Sequence, residues 1–274
     1  MSRKPAGKCI FCEAGNLSKE HFWPEWASAL LPNYPINQHV ERLVTFTEVT
    51  RLKEPPKSRA KPGHAWTKKI RVVCTRCNNG WMNALETAAR PFLTPLISTT
   101  SHTMTVEATL IVAQWIALKI MVGEHNQPGD AVTPPSDRAK FRSTLSLPPN
   151  FKIWIARCGV GGWQTGYVRH AATLSTAPGV RPEHRRKNIH SVTFGIGDLL
   201  VHALHTTAPG VDLGLTLSEP MVVIPLFPVA EEIIWPPARS INADEAAFLA
   251  NTLDRLLRSH RVRWQPFPAG TPVN

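Results

Sequence analysis

Two Cys-x-x-Cys pairs constrain this chain more than any other feature of its sequence. The first pair is Cys9 and Cys12, and the second is Cys74 and Cys77. Two residues between cysteines allow both thiolates to reach one ion, and two such pairs fill the tetrahedral shell that zinc prefers. We therefore expect one structural zinc ion bound by these four sulfurs, with the intervening residues leaving the site and returning to it.

The remaining cysteine, Cys158, stands alone and is not expected to be a ligand. An odd number of cysteines, with four of them grouped in metal-type pairs, suits a reducing compartment better than a disulfide scaffold. The first residues lack the apolar segment of a secretory signal, and no apolar run approaches the roughly 18 residues of a membrane span. We therefore expect a cytoplasmic protein with no membrane partner.

The positive charge of the chain is concentrated around the cysteine pairs. Residues 1–77 contain 14 Lys and Arg and 6 Asp and Glu, a balance of +8, whereas residues 78–274 contain 17 and 14, a balance of +3. A basic surface attracts polyanions through counterion release, so nucleic acid is the partner we expect, with a solvated basic surface as the alternative.

Polar residues with hydrolytic potential lie beside both pairs. Glu20-His21 follows the first pair by eight residues, Pro24 comes shortly afterwards, and Asn78 directly follows the second pair. In this order the features resemble the HNH endonuclease family, in the version whose ββα-metal core is braced by zinc. The resemblance covers roughly residues 9–92, about a third of the chain.

The resemblance implies a metal-dependent endonuclease that hydrolyses phosphodiester bonds, with DNA as the expected substrate. In it, His21 is the general base, Glu20 binds a catalytic ion, and Asn78, or Asn79 as a second candidate, supplies the ligand from the helix. Carboxylate and amide oxygens suit Mg²⁺ or Mn²⁺, and a histidine can take a proton from water. The alternative role of Asn78 is a helix N-cap.

Two other functions stay open for the same residues. One is a zinc-stabilised nucleic-acid-binding module that has lost hydrolysis, and the other is a nuclease effector of a toxin or defence system. We expect basic residues in and after a basic inserted loop at 32–63 to contact the nucleic-acid backbone. They are Lys53, Lys57, Arg59, Lys61, Lys68, Lys69, Arg71 and Arg76.

The expected fold class is α+β. We predict an N-terminal zinc-bound, ββα-metal, treble-clef-like domain over residues 1–97, and an α+β domain of unknown role over 98–274, with a Ser/Thr-rich linker at the boundary.

Glu124-His125 is interpreted as a helix end, not as a second metal site, and the basic run at 181–187 as a solvated loop. Periodicity and turn residues predict strands at 17–26, 40–50, 65–73, 151–157, 162–169, 191–205 and 221–226, and helices at 78–95, 106–122 and 244–261.

Overall fold

The computed structural model describes a mixed α+β chain, which confirms the predicted class. The described residues are 7–31, 38–43, 46–48, 51–52, 57–62, 68–126, 128–159, 166–174, 186–215, 222–253 and 255. The strands are β1 Leu17–His21, β2 Gln38–Leu43, β3 Phe46–Glu48, β4 Arg51–Leu52, β5 Lys57–Pro62, β6 Lys69–Cys74, β7 His102–Met104, β8 Phe151–Arg157, β9 Tyr167–Ala172, β10 Ile189–Ile196, β11 Leu199–Thr206, β12 Ile224–Phe227 and β13 Ile233–Trp235. The helices are α1 Thr75–Cys77, α2 Asn83–Ser98, α3 Val106–Glu124, α4 Pro135–Thr144 and α5 Ala243–Ala250, with a 3-10 turn at Glu25–Leu30 and a π-helical turn at Asn78–Met82 that joins α1 to α2.

A five-stranded antiparallel sheet forms the centre of the C-terminal part, in the order β12-β8-β11-β10-β9. Every residue of β10 and β11 is buried. One face of the sheet packs on α2 and α3, and the other packs on α5. Because both faces are covered, every position of β10 and β11 is buried, including polar residues such as Thr193 and His202.

The predicted strand at 191–205 is wrong, because the chain turns back within it. Gly197 has φ +57° and lies between β10 and β11. A Cβ at this position would lie 2.5 Å from the carbonyl oxygen of Ile97, so only glycine fits the turn. The alternation continues on both sides of the turn, and for this reason the pattern alone did not reveal it.

Helix α3 is the central helix of the core. Thr105 caps its start by accepting a hydrogen bond from the N–H of Ala108, and every residue from Trp115 to Glu124 is buried. The helix is long and apolar enough to cross a membrane, with a mean hydropathy of 1.6, yet 72% of that stretch is buried inside the protein. A core helix with this degree of burial meets the same criteria of length and composition.

The N-terminal part is built around the antiparallel pair β1 and β6, which runs directly into α1. We predicted that the following helix ends near Pro91 or Pro95, but α2 continues to Ser98. Leu93, Leu96 and Ile97 are fully buried, and this packing outweighs the loss of two backbone hydrogen bonds at the prolines.

Other boundaries also differ from those predicted. The expected basic loop at 32–63 contains β4 and β5, with β5 paired to β2, and the sequence analysis did not predict α4. The predicted linker contains β7, which pairs with β13, and one hydrophobic core includes residues on both sides of it. Of the predicted strand at 162–169, residues 167–169 lie in β9, which continues to Ala172, and residues 162–165 lie outside the described residues, as does part of the predicted C-terminal helix.

Buried histidines in the sheet predict sensitivity to acid. His202 contacts the hydroxyl of Thr193 at 2.7 Å, His205 stacks on Phe151 at 4.8 Å, and burial lowers the pKa of His202 to about 3 and of His205 to about 4. A folded-state pKa below the unfolded value gives stability above about pH 6.5 that is lost as the pH falls toward these values. The free energy of unfolding in urea should therefore decrease from about pH 7 to about pH 5.

A matched variant distinguishes the contribution of these histidines to the pH dependence of stability from the contributions of other titrating groups. His202→Gln keeps a hydrogen-bonding side chain opposite Thr193 but cannot be protonated in this range, so it should reduce the pH dependence. If the unfolding free energy of the wild-type protein is the same at both pH values, buried neutral histidines do not contribute as described.

Candidate metal centre

The first cysteine pair lies in a tight knuckle fixed by backbone hydrogen bonds. The N–H of Glu13 donates to the carbonyl of Cys9, and the N–H of Cys9 donates to the carbonyl of Ala14, both at 2.9 Å. Glu13 adopts a left-handed conformation with φ 59°. The N–H of Ile10 donates to the carbonyl of Val72 at 3.0 Å, which attaches the knuckle to β6.

The second pair lies where β6 becomes a helix. Cys74 ends the strand and caps α1, because its sulfur accepts a hydrogen bond from the N–H of Cys77 at 3.4 Å. A sulfur at a helix N-terminus receives the positive end of the backbone dipoles, which favours the thiolate. The start of the helix therefore places both sulfurs of this pair on one side.

The four sulfurs converge on one point. All of them lie within 4.8 Å of one another, and Sγ of Cys12 lies 3.5 Å from Sγ of Cys74 and 3.6 Å from Sγ of Cys77. Four thiolates around zinc at about 2.3 Å would be separated by about 3.8 Å, so the cluster has nearly the size of such a site. Cys74, Cys9 and Cys77 are buried, and the group could bind a metal such as zinc.

Close approach perturbs the cysteine thiols unequally. Burial raises the pKa of Cys77 to about 12. Burial also acts to raise the pKa of Cys74, but the hydrogen bond from the N–H of Cys77 and contacts with other thiols lower it to about 7. Because only thiolates bind metal, loading of this cluster should release protons and weaken at low pH.

Aromatic side chains enclose the knuckle. The ring of Trp81 lies edge-on to Phe11 at 5.0 Å and to Phe141 of α4 at 5.9 Å. Trp23 contacts Phe194 of the sheet at 5.6 Å. The tryptophans near the cysteine cluster therefore pack between the N-terminal part and the rest of the protein.

Glu20 is held by a buried cation that the sequence analysis did not identify. Its Oε1 accepts a hydrogen bond from Nζ of Lys119 at 2.8 Å, and the same Nζ lies 3.1 Å from Oε2 of Glu86. Lys119 also donates to the backbone carbonyl of His21 at 3.2 Å. One ammonium between two carboxylates leaves the group with a net charge of −1, and Oε2 of Glu20 has no hydrogen-bond partner among the described residues.

Asn78 is oriented by the neighbouring strand. Its Nδ2 donates to Oγ of Ser18 at 3.2 Å, so its Oδ1 is left without a described partner. The alternative role as an N-cap is wrong, because Cys74 caps the helix. Ser18 and Glu20 are two residues apart on β1, but the pairing of β1 with β6 is irregular between them, so strand alternation does not fix the amide of Asn78 on the same side as Glu20.

His21 is the last residue of β1 and is half-buried, opposite Lys69 of β6. Adjacent strand residues point to opposite faces, and the side chain of His21 has no hydrogen bond to a described residue. Asn79, the second ligand candidate, is exposed. The structure thus holds Glu20 through Lys119 and Asn78 through Ser18, and it does not show the side chain of His21 in contact with either.

The predicted nucleic-acid contacts divide into two groups. Lys69, Arg71 and Arg76 are exposed, and Arg71 also donates to the carbonyl of Leu17 at 2.9 Å. Lys68 is half-buried, with Nζ 5.9 Å from the centre of the Phe22 ring. The others lie in the inserted segment: the backbone of β5 includes Lys57, Arg59 and Lys61, and Lys53 lies outside the described residues.

A second polar cluster was missed entirely. Glu124, His190 and His205 are fully buried, with one ligand-type atom of each within 4.8 Å of the others. We interpreted Glu124-His125 as a helix end, and α3 does end at Glu124. The two histidines that lie beside Glu124 come from β10 and β11, so no local sequence pattern predicts this cluster.

Comparisons with protein-family models, with curated proteins and with solved structures found no match to this chain.

Proposed function

We propose that this protein is a metal-dependent endonuclease of the HNH type, acting on DNA through a zinc-stabilised N-terminal ββα module. The strongest support is that Glu20 on β1 and Asn78 after the second cysteine pair are each held by a hydrogen bond that leaves one side-chain oxygen available. Lys119 holds one oxygen of Glu20, and Ser18 holds the amide nitrogen of Asn78, so one oxygen of each side chain is without a described partner.

These donors fit a hard divalent cation. Carboxylate and amide oxygens are ligands that Mg²⁺ and Mn²⁺ accept, and ligating carboxylates are commonly fixed by a further hydrogen bond. The net charge of −1 on the Lys119 group favours a cation nearby. When bound, such an ion neutralises the negative charge that develops on the phosphate oxygens during hydrolysis.

The remaining groups have distinct tasks. His21, half-buried at the end of β1, accepts a proton from the attacking water. Lys69 and Arg71 on β6 attract the phosphate backbone. Zinc at Cys9, Cys12, Cys74 and Cys77 holds β1 and the start of the helix together, which keeps Glu20 and Asn78 in place.

A second candidate is a zinc-stabilised nucleic-acid-binding module without hydrolysis. It is favoured by the contact between Lys119 and Glu20, because an ammonium at 2.8 Å already neutralises much of the charge that would hold an ion. Under this function the exposed basic residues bind the nucleic-acid backbone, and His21 has no chemical role.

Plasmid cleavage in Mg²⁺ or Mn²⁺ distinguishes the two functions. His21→Ala should lower the rate by about 10²- to 10⁴-fold, as expected for loss of a general base, while leaving zinc content and DNA binding unchanged. Glu20→Gln and Asn78→Ala should raise the ion concentration needed for half-maximal rate, and excess Mn²⁺ should partly restore them. His102→Ala, on β7 outside the module, is the control.

The contradicting results are specific. Wild-type protein that binds DNA but does not cleave DNA or RNA with either ion would establish the binding module. Full activity in His21→Ala would show that another group accepts the proton.

A further inference from the structure

Three arginines from separate elements converge on the backbone between α3 and α4. Arg138 of α4 donates through Nη1 to the carbonyl of Thr133, and Arg169 of β9 donates through Nη2 to the carbonyl of Asp130. Arg186 reaches the carbonyls of Ala131 and Thr133, each at 3.5 Å. Arg138 also donates through Nε to the carbonyl of Ile10 in the zinc knuckle at 2.9 Å, so the cluster adjoins the N-terminal module.

The charges of these arginines are not neutralised by direct pairing. None of the three forms a salt bridge with a carboxylate within the part of the chain that the structure describes. Burial and then the positive charges of all three lower the pKa of His125 to about 4. Burial lowers the pKa of Arg138 and so does Arg186, while the carboxylates of Glu124 and Asp137 act to raise it.

The nearest acidic side chain is already occupied. Glu124 is fully buried and accepts hydrogen bonds from the N–H of Val132 at 2.8 Å, the N–H of Thr133 at 3.0 Å and the hydroxyl of Thr133 at 2.6 Å. These bonds fix the loop whose carbonyls the arginines contact. Asp130 and Asp137 lie in the same region and are half-buried.

A cation is a poor occupant of this region. The spacing of Glu124, His190 and His205 would suit a metal, but Nε of Arg169 lies 3.4 Å from Nδ1 of His190 and donates to the lone pair that a metal would need. A guanidinium at that distance would also repel a divalent ion. The same positive charge favours an anion, and the exposure of Arg186 leaves that side of the cluster in contact with solvent.

We propose that Arg138, Arg169 and Arg186, together with His125, form a binding site for the phosphate group of a phosphate ester. Arg138 is 6% exposed and forms the base, whereas Arg186 is exposed and gives access. Each guanidinium has five N–H donors, and the carbonyl contacts use only one or two of them. Nε2 of His125 is buried without a partner and is available as well.

This site gives the C-terminal part a role in holding a phosphate beside the zinc knuckle. It goes beyond the proposed hydrolysis and does not depend on it, because a protein that does not cleave would still bind the anion here. The phosphate could belong to a nucleic-acid backbone or to a free phosphate compound, and the two are separated by experiment.

Binding is measured with full-length, zinc-loaded protein and two probes. Inorganic phosphate is titrated by calorimetry at constant ionic strength, and a short fluorescent single-stranded oligonucleotide is titrated by anisotropy over a series of salt concentrations. Arg186→Gln and Arg169→Gln are compared with Arg142→Gln, which removes the same charge from an exposed position on α4. Circular dichroism verifies that each variant is folded.

We expect Arg186→Gln and Arg169→Gln to weaken phosphate binding about tenfold, as for loss of one charge-assisted contact, with Arg142→Gln unchanged. A backbone phosphate at the site predicts that both variants also reduce the salt slope of oligonucleotide binding by about 1. A free phosphate compound predicts weaker binding of inorganic phosphate with an unaltered oligonucleotide slope.

The proposal is wrong if folded Arg186→Gln and Arg169→Gln bind both probes as the wild-type protein does. It is also wrong if metal analysis finds a second equivalent of metal that His205→Gln removes, because a cation would then occupy the cluster. Loss of cleavage in His21→Ala has no bearing on either result, so the two proposals fail independently.

Discussion

Cys74→Ser is expected to release the metal and unfold the N-terminal part of the protein. The substitution removes one of four converging sulfurs, whereas the serine hydroxyl still accepts from the N–H of Cys77 as a helix cap, so the expected effect comes from loss of the metal. Structural zinc contributes about 10–16 kcal/mol of apparent binding free energy in small zinc-binding peptides, which is comparable to the whole stability of a domain. Metal analysis should fall from about one zinc per chain to near zero, and amide exchange should accelerate across β1 and β6.

Cys158→Ser is the matched control for this experiment. Cys158 is buried in the sheet region outside the cluster, so its replacement should leave the zinc content unchanged and cost only the local packing. A fresh, folded wild-type preparation that contains no zinc would contradict the site, as would a Cys74→Ser protein that keeps its metal and its amide protection.

The cysteine cluster could be predicted from the sequence because its geometry is local. A Cys-x-x-Cys spacing fixes each pair, and the strand pattern before Cys74 and the helical pattern after Asn78 determine how the second pair is presented. The end of α2 could not be predicted in the same way. Its prolines are visible in the sequence, but the burial of Leu93 and Leu96 that overrides them is a property of the assembled core.

The contacts of the charged groups beside the site could not be predicted from sequence patterns, for a different reason. Lys119 and Glu20 are 99 residues apart, and the sequence shows only one lysine within an otherwise apolar helix. That lysine was the available signal, because a charge on a buried helix face needs a partner. The arginine cluster gave a weaker signal, since its three members come from a helix, a strand and a loop.

Lys119→Met is expected to destabilise the protein strongly. Lys119 is 3% exposed, and although burial acts to lower its pKa, Glu20 and Glu86 raise it above the ordinary lysine value. Methionine fills much of the same volume but leaves two carboxylates without their cation. Removing one partner from a buried ionic group costs about 3–5 kcal/mol, so the urea midpoint should fall sharply.

Two variants decide whether charge is the cause. Lys140→Met changes an exposed lysine of α4 and should have almost no effect. Glu20→Gln and Glu86→Gln, added to Lys119→Met, remove the uncompensated charges and should recover most of the lost stability, because a neutral buried group costs less than an unpaired ion. If the triple variant is no more stable than Lys119→Met, the loss comes from packing around the aliphatic stem of the lysine, and the Lys119 group then contributes nothing to the charge of the proposed ion site.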